Sequence, residues 1–267
     1  DVGEHNGQPF IAMEYVDGDT LASLIRDRVE VPLLKKLEWV EQLCDALAYA
    51  HAHGIVHRDI KPLNLIIERR RQRLKVLDFG IAKVPNSGIT TAGMMIGTAN
   101  YMSPEQMRGD IAIDHRSDIF SVGATVFELL TGTRAFPGSL SDGLMGRIMV
   151  HPAPTVRSLV PGLPEELDAI VARALEKDPN DRYGDLVQMR DEVRALRHRL
   201  KEVDEPVAVV IRPGDVHGNG ALFPEPRGFG NVDEFEFCGV FKEQRGLSGL
   251  ERRQGEIEIA VVIIIGP

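Results

Sequence analysis

Residues 117–130 are apolar almost all round: Ile119, Phe120, Val122, Val126, Phe127, Leu129 and Leu130 leave no face of a helix for water. Such a helix is stable only when other elements surround it, so it must lie at the centre of a helical lobe. The rest of the chain supplies that surround. Thr20 caps a short helix running to about Arg28, and an apolar stripe through Leu37, Val40, Cys44 and Leu47 predicts a long helix from Leu33 to the stop at Gly54. Further helical patterns cover about 140–149, 165–175 and 186–200, between proline-rich connections. With 267 residues, 43% hydrophobic and 27% charged, the chain can build a sizeable core.

Strand signals are short. Residues 9–16 read as a strand that enters a turn at Asp17-Gly18-Asp19, and Leu65-Ile66-Ile67 with Leu74-Lys75-Val76-Leu77 reads as a hairpin. The Arg69-Arg70-Arg71-Gln72-Arg73 run between those two strands is read as a solvated turn. Residues 84–100, rich in Gly, Ser, Thr and Met, form a loop that the rest of the protein must position.

A formal net charge of −9 argues against a general nucleic-acid binder, whose phosphate-tracking surface needs excess lysine and arginine. The two cysteines, Cys44 and Cys238, are far apart and form no CxxC, so neither a disulfide framework nor a thiolate zinc site is indicated. Cys44 is expected as a buried small hydrophobe in a reducing, cytoplasmic protein. Residues 201–267 carry twelve acidic and seven basic side chains with Pro206, Pro213, Pro224 and Pro226, the composition of a linker or poorly ordered tail. Its apolar run 259–265 is too short to span a bilayer, and a membrane role is expected only if it begins a longer transmembrane helix.

The chemistry is concentrated in His57-Arg58-Asp59-Ile60-Lys61-Pro62-Leu63-Asn64, which follows the long helix and has the spacing H-R-D-x-x-x-x-N. Asp78-Phe79-Gly80, Ser103-Pro104-Glu105 and the helix opened by Asp118 follow in order. Together these elements resemble the C-terminal lobe of a serine/threonine protein kinase. The stretch from Gly97 to Gln106 is similar to the eukaryotic-like kinases of bacteria, with SPE where many relatives have APE. The resemblance covers residues 1–200, the kinase domain by this reading. It implies an α+β, protein-kinase-like fold: a mainly α-helical C-lobe with short β-hairpins and a small N-lobe largely absent.

The resemblance also implies roles. Asp59 would orient and deprotonate a serine or threonine hydroxyl of a protein substrate, Lys61 would reach the γ-phosphate of ATP, and Asn64 and Asp78 would hold Mg2+. Lys61 marks the serine/threonine class, and Thr98 would help form the surface that meets the residue after the phosphoacceptor. Met13 would be the gatekeeper, Glu14 to Val16 the hinge at the adenine edge, Asp19 a ribose contact and Ile66 the floor beneath the base. Glu105 would pair with Arg182. Asp118 would accept hydrogen bonds from the backbone at His57 and Arg58, and His57 would pack on Phe79. Arg58 would receive a phosphate on the loop, with Thr90 and Thr91 as the autophosphorylation candidates.

No Gly-rich loop, VAIK-type lysine or αC glutamate occurs in the sequence, so these are expected upstream, and the chain as given is expected to bind ATP weakly and transfer phosphate poorly. The competing readings are a non-catalytic kinase-like C-lobe that docks proteins, and a small-molecule phosphotransferase of related fold. Intact Asp59, Lys61, Asn64 and Asp78 weigh against the first. The peptide-platform residues 97–106 with Arg182 weigh against the second. Localisation is expected to be cytoplasmic for the kinase domain, with membrane anchoring in the full-length protein the other case.

Overall fold

The structure is a computed structural model that describes residues 2–5, 8–78, 99–110, 112–204 and 261–264; of 2–5, 8–13, 203–204 and 261–264 it describes the backbone alone. It divides into two units, one of residues 1–16 and 207–267 and the other of 17–206.

In the first unit, β1 (Val2–His5) pairs antiparallel with β2 (Gln8–Met13), whose other edge pairs with β6 (Val261–Ile264). The strand expected over 9–16 thus stops at Met13, and four residues of the apolar run 259–265 are extended. Among the described residues no helix is long and apolar enough to cross a membrane.

The second unit contains the helices. The predicted turn at 17–19 is instead the beginning of β3 (Gly18–Thr20), which pairs with β4 (Leu65–Glu68), itself in a hairpin with β5 (Leu74–Val76). Gly18 is required there: a Cβ would lie 2.3 Å from the Ile67 carbonyl oxygen. Thr20 ends the strand and caps α1 (Leu21–Arg26), its Oγ1 accepting the Ser23 N–H at 3.1 Å. The helix closes at Arg26, short of the expected Arg28, because Arg28 takes a left-handed φ of 53°.

The long helix α2 (Leu33–Ala52) buries Leu37, Val40, Cys44 and Leu47 as its stripe predicts, and Gly54 with φ 74° turns the chain out of it. Burial pushes the Cys44 thiol up, away from any nucleophilic role. Short α3 (Pro104–Arg108) starts on a capping box of Ser103 and Gln106. At the centre lies α4 (Arg116–Thr131), with Ile119, Phe120, Val122 and Phe127 fully buried. Gly123 lets it approach α7 (Glu166–Ala174), where a Cβ would meet that of Ala174 at 2.8 Å.

The expected helix over 140–149 is broken at Gly143 (φ 75°) into a 3-10 turn and α5 (Leu144–Met149). A one-turn helix, α6 (Val156–Leu159), precedes α7, and α8 (Leu186–Asp204) runs four residues beyond the expected end. Helices α2 and α8 are laced together by ion pairs: Arg194 and Arg197 reach Glu41, and Arg190 reaches Asp45 at 2.7 Å.

Candidate functional site

The His57–Asn64 loop leaves α2 and returns to the sheet through a 3-10 turn at Pro62–Asn64. Its conformation is dictated from below by Asp118 in the first turn of α4. One carboxylate oxygen accepts the His57 N–H and the other the Arg58 N–H, both at 2.8 Å. Asp118 has no solvent exposure, and His51 Nε2, from the last turn of α2, lies 2.8 Å from it. A buried carboxylate needs such partners, and here two of them are the backbone of the loop. The expected scaffold role of Asp118 is met. Nothing in the local sequence pattern of His51 distinguishes it from the other histidines.

Arg58 is held with φ 65°, a strained conformation for a side-chain-bearing residue. Its carbonyl oxygen accepts from the Gln106 side chain at 2.9 Å, so the capping residue of α3 also clamps the loop. The guanidinium Nε of Arg58 is buried with no hydrogen-bond partner among the described residues.

Asp59 then faces Lys61. The Lys61 Nζ lies 2.9 Å from the Asp59 carboxylate, and both side chains are largely shielded from water. The Asn64 Nδ2 donates to the Asp59 carbonyl at 2.9 Å and reaches its carboxylate at 3.3 Å. Three of the predicted site residues are therefore brought together by the turn of the loop itself.

The fourth is delivered by Leu77. Its N–H donates to the Asn64 carbonyl at 2.8 Å, and its carbonyl oxygen lies 2.9 Å from His57 Nε2. Asp78 follows immediately, exposed and in a left-handed conformation with φ 51°. The residue before Asp78 is thus tied to the loop on both sides. With the Asn64 Nδ2 committed to Asp59, the amide presents its oxygen as the remaining group, while the Leu77 N–H bond to the Asn64 carbonyl brings the backbone before Asp78 up to the same residue. Among the described residues no cluster of three or more His, Cys, Asp or Glu could hold a metal. Amide and carboxylate oxygens are the donor types that suit Mg2+, which keeps most of its ligands as water and phosphate.

Of the nucleotide-contact residues, Ile66 is half-buried in the middle of β4, while Asp19 in β3 is exposed and lies 3.4 Å from the Arg69 guanidinium. The arginine turn is solvated as expected, with Arg69 also paired to Asp17 at 3.1 Å. Met13 ends β2 in the other unit, followed by exposed Glu14 and half-buried Val16. Phe79, Gly80, Thr90, Thr91, Thr98 and Cys238 lie outside the described residues.

The Glu105–Arg182 pair is present and buried. Arg182 Nη1 and Nη2 bond the two carboxylate oxygens at 2.8 and 2.9 Å. The remaining donors go to the carbonyls of Glu176, Arg116 and Lys177, so all five N–H groups of the guanidinium are used. Burial works to raise the Glu105 carboxyl, but the hydrogen bonds and charge of Arg182 outweigh it and hold the group below the ordinary carboxylate range.

Residues 1–194 match the family model described as "Protein kinase domain". The serine/threonine-protein kinase PknB of Mycolicibacterium smegmatis is 39% identical over 202 residues, covering 74% of this chain and 32% of that protein. PknB of Mycobacterium leprae is 40% identical over 185 residues, covering 68% of this chain and 29% of its own. The chain therefore spans about a third of the length of these curated relatives. Among solved structures, the PknI kinase domain of Mycobacterium tuberculosis superposes with a TM-score of 0.56 at 30% identity, over 73% of this chain and 69% of that one. The chain belongs to the protein kinase family, and the curated relatives it matches are bacterial serine/threonine-protein kinases.

Proposed function

We propose that the loop at Asp59 transfers the γ-phosphate of ATP to serine or threonine hydroxyls of protein substrates. The observation that carries this reading is the arrangement of Asp59, Lys61 and Asn64 on one turn, with Leu77 fastening Asp78 beside them. Asp59 takes the proton of the attacking hydroxyl as its oxygen bonds to the γ-phosphorus and the bond to the β-phosphate oxygen breaks, releasing ADP. Lys61 is held on Asp59 until phosphate oxygens offer a stronger partner, and then neutralises charge in the loose transition state. Asn64 and Asp78 are assigned as the Mg2+ ligands. The ion, when bound, supplies charge neutralisation at the phosphates.

Met13, the hinge from Glu14 to Val16, Asp19 and Ile66 are assigned to the nucleotide on family resemblance. Asp19 would have to leave Arg69 to meet a ribose, a small demand because the pair is exposed. Arg58, whose buried Nε has no hydrogen-bond partner among the described residues, supports a phosphate-receiving role in which Thr90 or Thr91 is modified. Residues 1–200 are assigned to the kinase domain and 201–267 to a tail, with the kinase domain placed in the cytoplasm of a protein that is either free or membrane-anchored.

The test is a peptide phosphorylation assay on the complete protein that carries this chain, with magnesium-ATP titrated, comparing wild type, Asp59→Asn and Lys61→Met. Transfer to serine and threonine peptides but not to tyrosine peptides is expected in the wild type, and loss of about 10²–10⁴-fold in Asp59→Asn.

A further inference from the structure

On the second unit, away from the loop at Asp59, a cleft of about 770 Å3 opens between the end of α1, the start of α2 and the end of α4. None of residues 57–64 lines it. Its walls are aliphatic: Leu24 and Ile25 from α1, Leu129 and Leu130 from α4. Two cations, Arg28 and Lys36, stand at these walls. Among the described residues neither side chain has a hydrogen bond or an ion pair, although the neighbouring Arg26 and Lys35 are both paired, with Asp27 and Glu38. One carboxylate, Glu30, also lines the cleft and is likewise unpaired among the described residues, so the lining carries an excess of one positive charge.

The Lys36 stem is half-buried, and burial pushes its ammonium below the ordinary lysine range. An ammonium partly removed from water with no counter-ion is a cost that a bound anion would offset. The volume lies within the range of small-ligand clefts, ~300–1,000 Å3. Aliphatic walls with a cationic edge complement a ligand that is apolar along its length and anionic at one end.

We propose that this cleft binds an amphiphilic carboxylate, its acyl chain against Leu24, Ile25, Leu129 and Leu130 and its head group at Lys36 and Arg28. The site is separate from the phosphoryl-transfer loop and does not depend on that loop being active.

The protein carries its own reporter. Trp39 is the one tryptophan in the sequence, it lines the cleft, and its indole N–H is fixed on the Gln72 carbonyl at 3.1 Å. Titration of the full chain with dodecanoate, kept below its micelle concentration, is expected to give a saturable change in tryptophan fluorescence. Lys36→Met is expected to weaken binding about tenfold and Arg28→Met by a smaller factor, while Glu30→Gln leaves it equal or tighter. Dodecanol, which has the chain without the charge, is expected to bind at least tenfold more weakly than dodecanoate. The absence of a saturable response would overturn the proposal. So would equal binding of dodecanol and dodecanoate, or of dodecanoate to wild type and Lys36→Met, since either would mean apolar adsorption without recognition of the head group. A response produced by an acidic, leucine-containing peptide and not by dodecanoate would also overturn it in favour of a protein partner.

Discussion

Asp118 holds Arg58 in a left-handed backbone conformation: its carboxylate accepts the Arg58 N–H at 2.8 Å while φ at Arg58 is 65°. The residue before the proposed base is therefore fixed by a group 60 positions away, and the orientation of Asp59 depends on it.

Replacing Asp118 tests that dependence. Asp118→Ala leaves two buried N–H groups unpaired and is expected to lower stability by about 3–5 kcal/mol, as breaking a buried charged network does. Asp118→Asn keeps one acceptor but presents an amide to the second N–H, so it should cost roughly 1–3 kcal/mol. Urea unfolding of the three proteins gives the comparison, and equal midpoints would refute the scaffold role.

The Glu105–Arg182 pair makes an acid-stability prediction. Its carboxyl is held below the ordinary range in the folded state, so its contribution is fully present above about pH 4.3, the unfolded value for Glu, and is lost as pH falls through the folded value. Glu105→Gln should flatten the stability profile below about pH 4.3. Arg182→Lys should be nearly as damaging as Arg182→Met, by about 3–5 kcal/mol, because an ammonium cannot replace five directed donors. Thermal unfolding from pH 3 to 7 provides the measurement.

Lys177 gives the alkaline counterpart. Burial, with the charge of Arg182 added and that of Glu176 opposing, brings its ammonium down to about 8. Its Nζ lies 4.2 Å from the centre of the Phe136 ring, buried, with no hydrogen-bond partner among the described residues. At Lys177 the unfolded chain then binds more protons than the folded one between pH 8 and about 10.4, so this group's contribution to stability should rise with pH over that interval. Above about pH 10 the slope should reverse, because burial and neighbouring carboxylates hold the Tyr101 and Tyr183 hydroxyls up in the fold. Lys177→Met should remove the rise between pH 8 and 10; a rise unchanged in that variant would show that another group is responsible.

The features legible in the sequence were those written locally. The apolar circumference of α4 announced its burial, Thr20 its cap and Gly54 the end of α2, since each follows from the period or chemistry of adjacent residues. The Glu105–Arg182 and Asp118 contacts lie far apart in sequence and were read only through resemblance to a family. His51 beneath Asp118 and Gln106 on the Arg58 carbonyl were missed, because their partners are chosen by packing across 67 and 48 residues. Gly18 and Asp19 carry turn propensity, yet pairing with β4 draws them into a strand, a tertiary demand that overrides it. The break at Gly143 was hidden because apolar residues on both sides continue the helical pattern.

Asp59, positioned through Arg58 and paired with Lys61, is proposed to serve phosphoryl transfer. The most direct test is single-turnover transfer of the ATP γ-phosphate to a threonine peptide by the complete protein and its Asp59→Asn variant, at saturating magnesium-ATP. Nucleotide affinity is expected to be retained while the transfer rate falls about 10²–10⁴-fold. Transfer at the same rate in both proteins would contradict it.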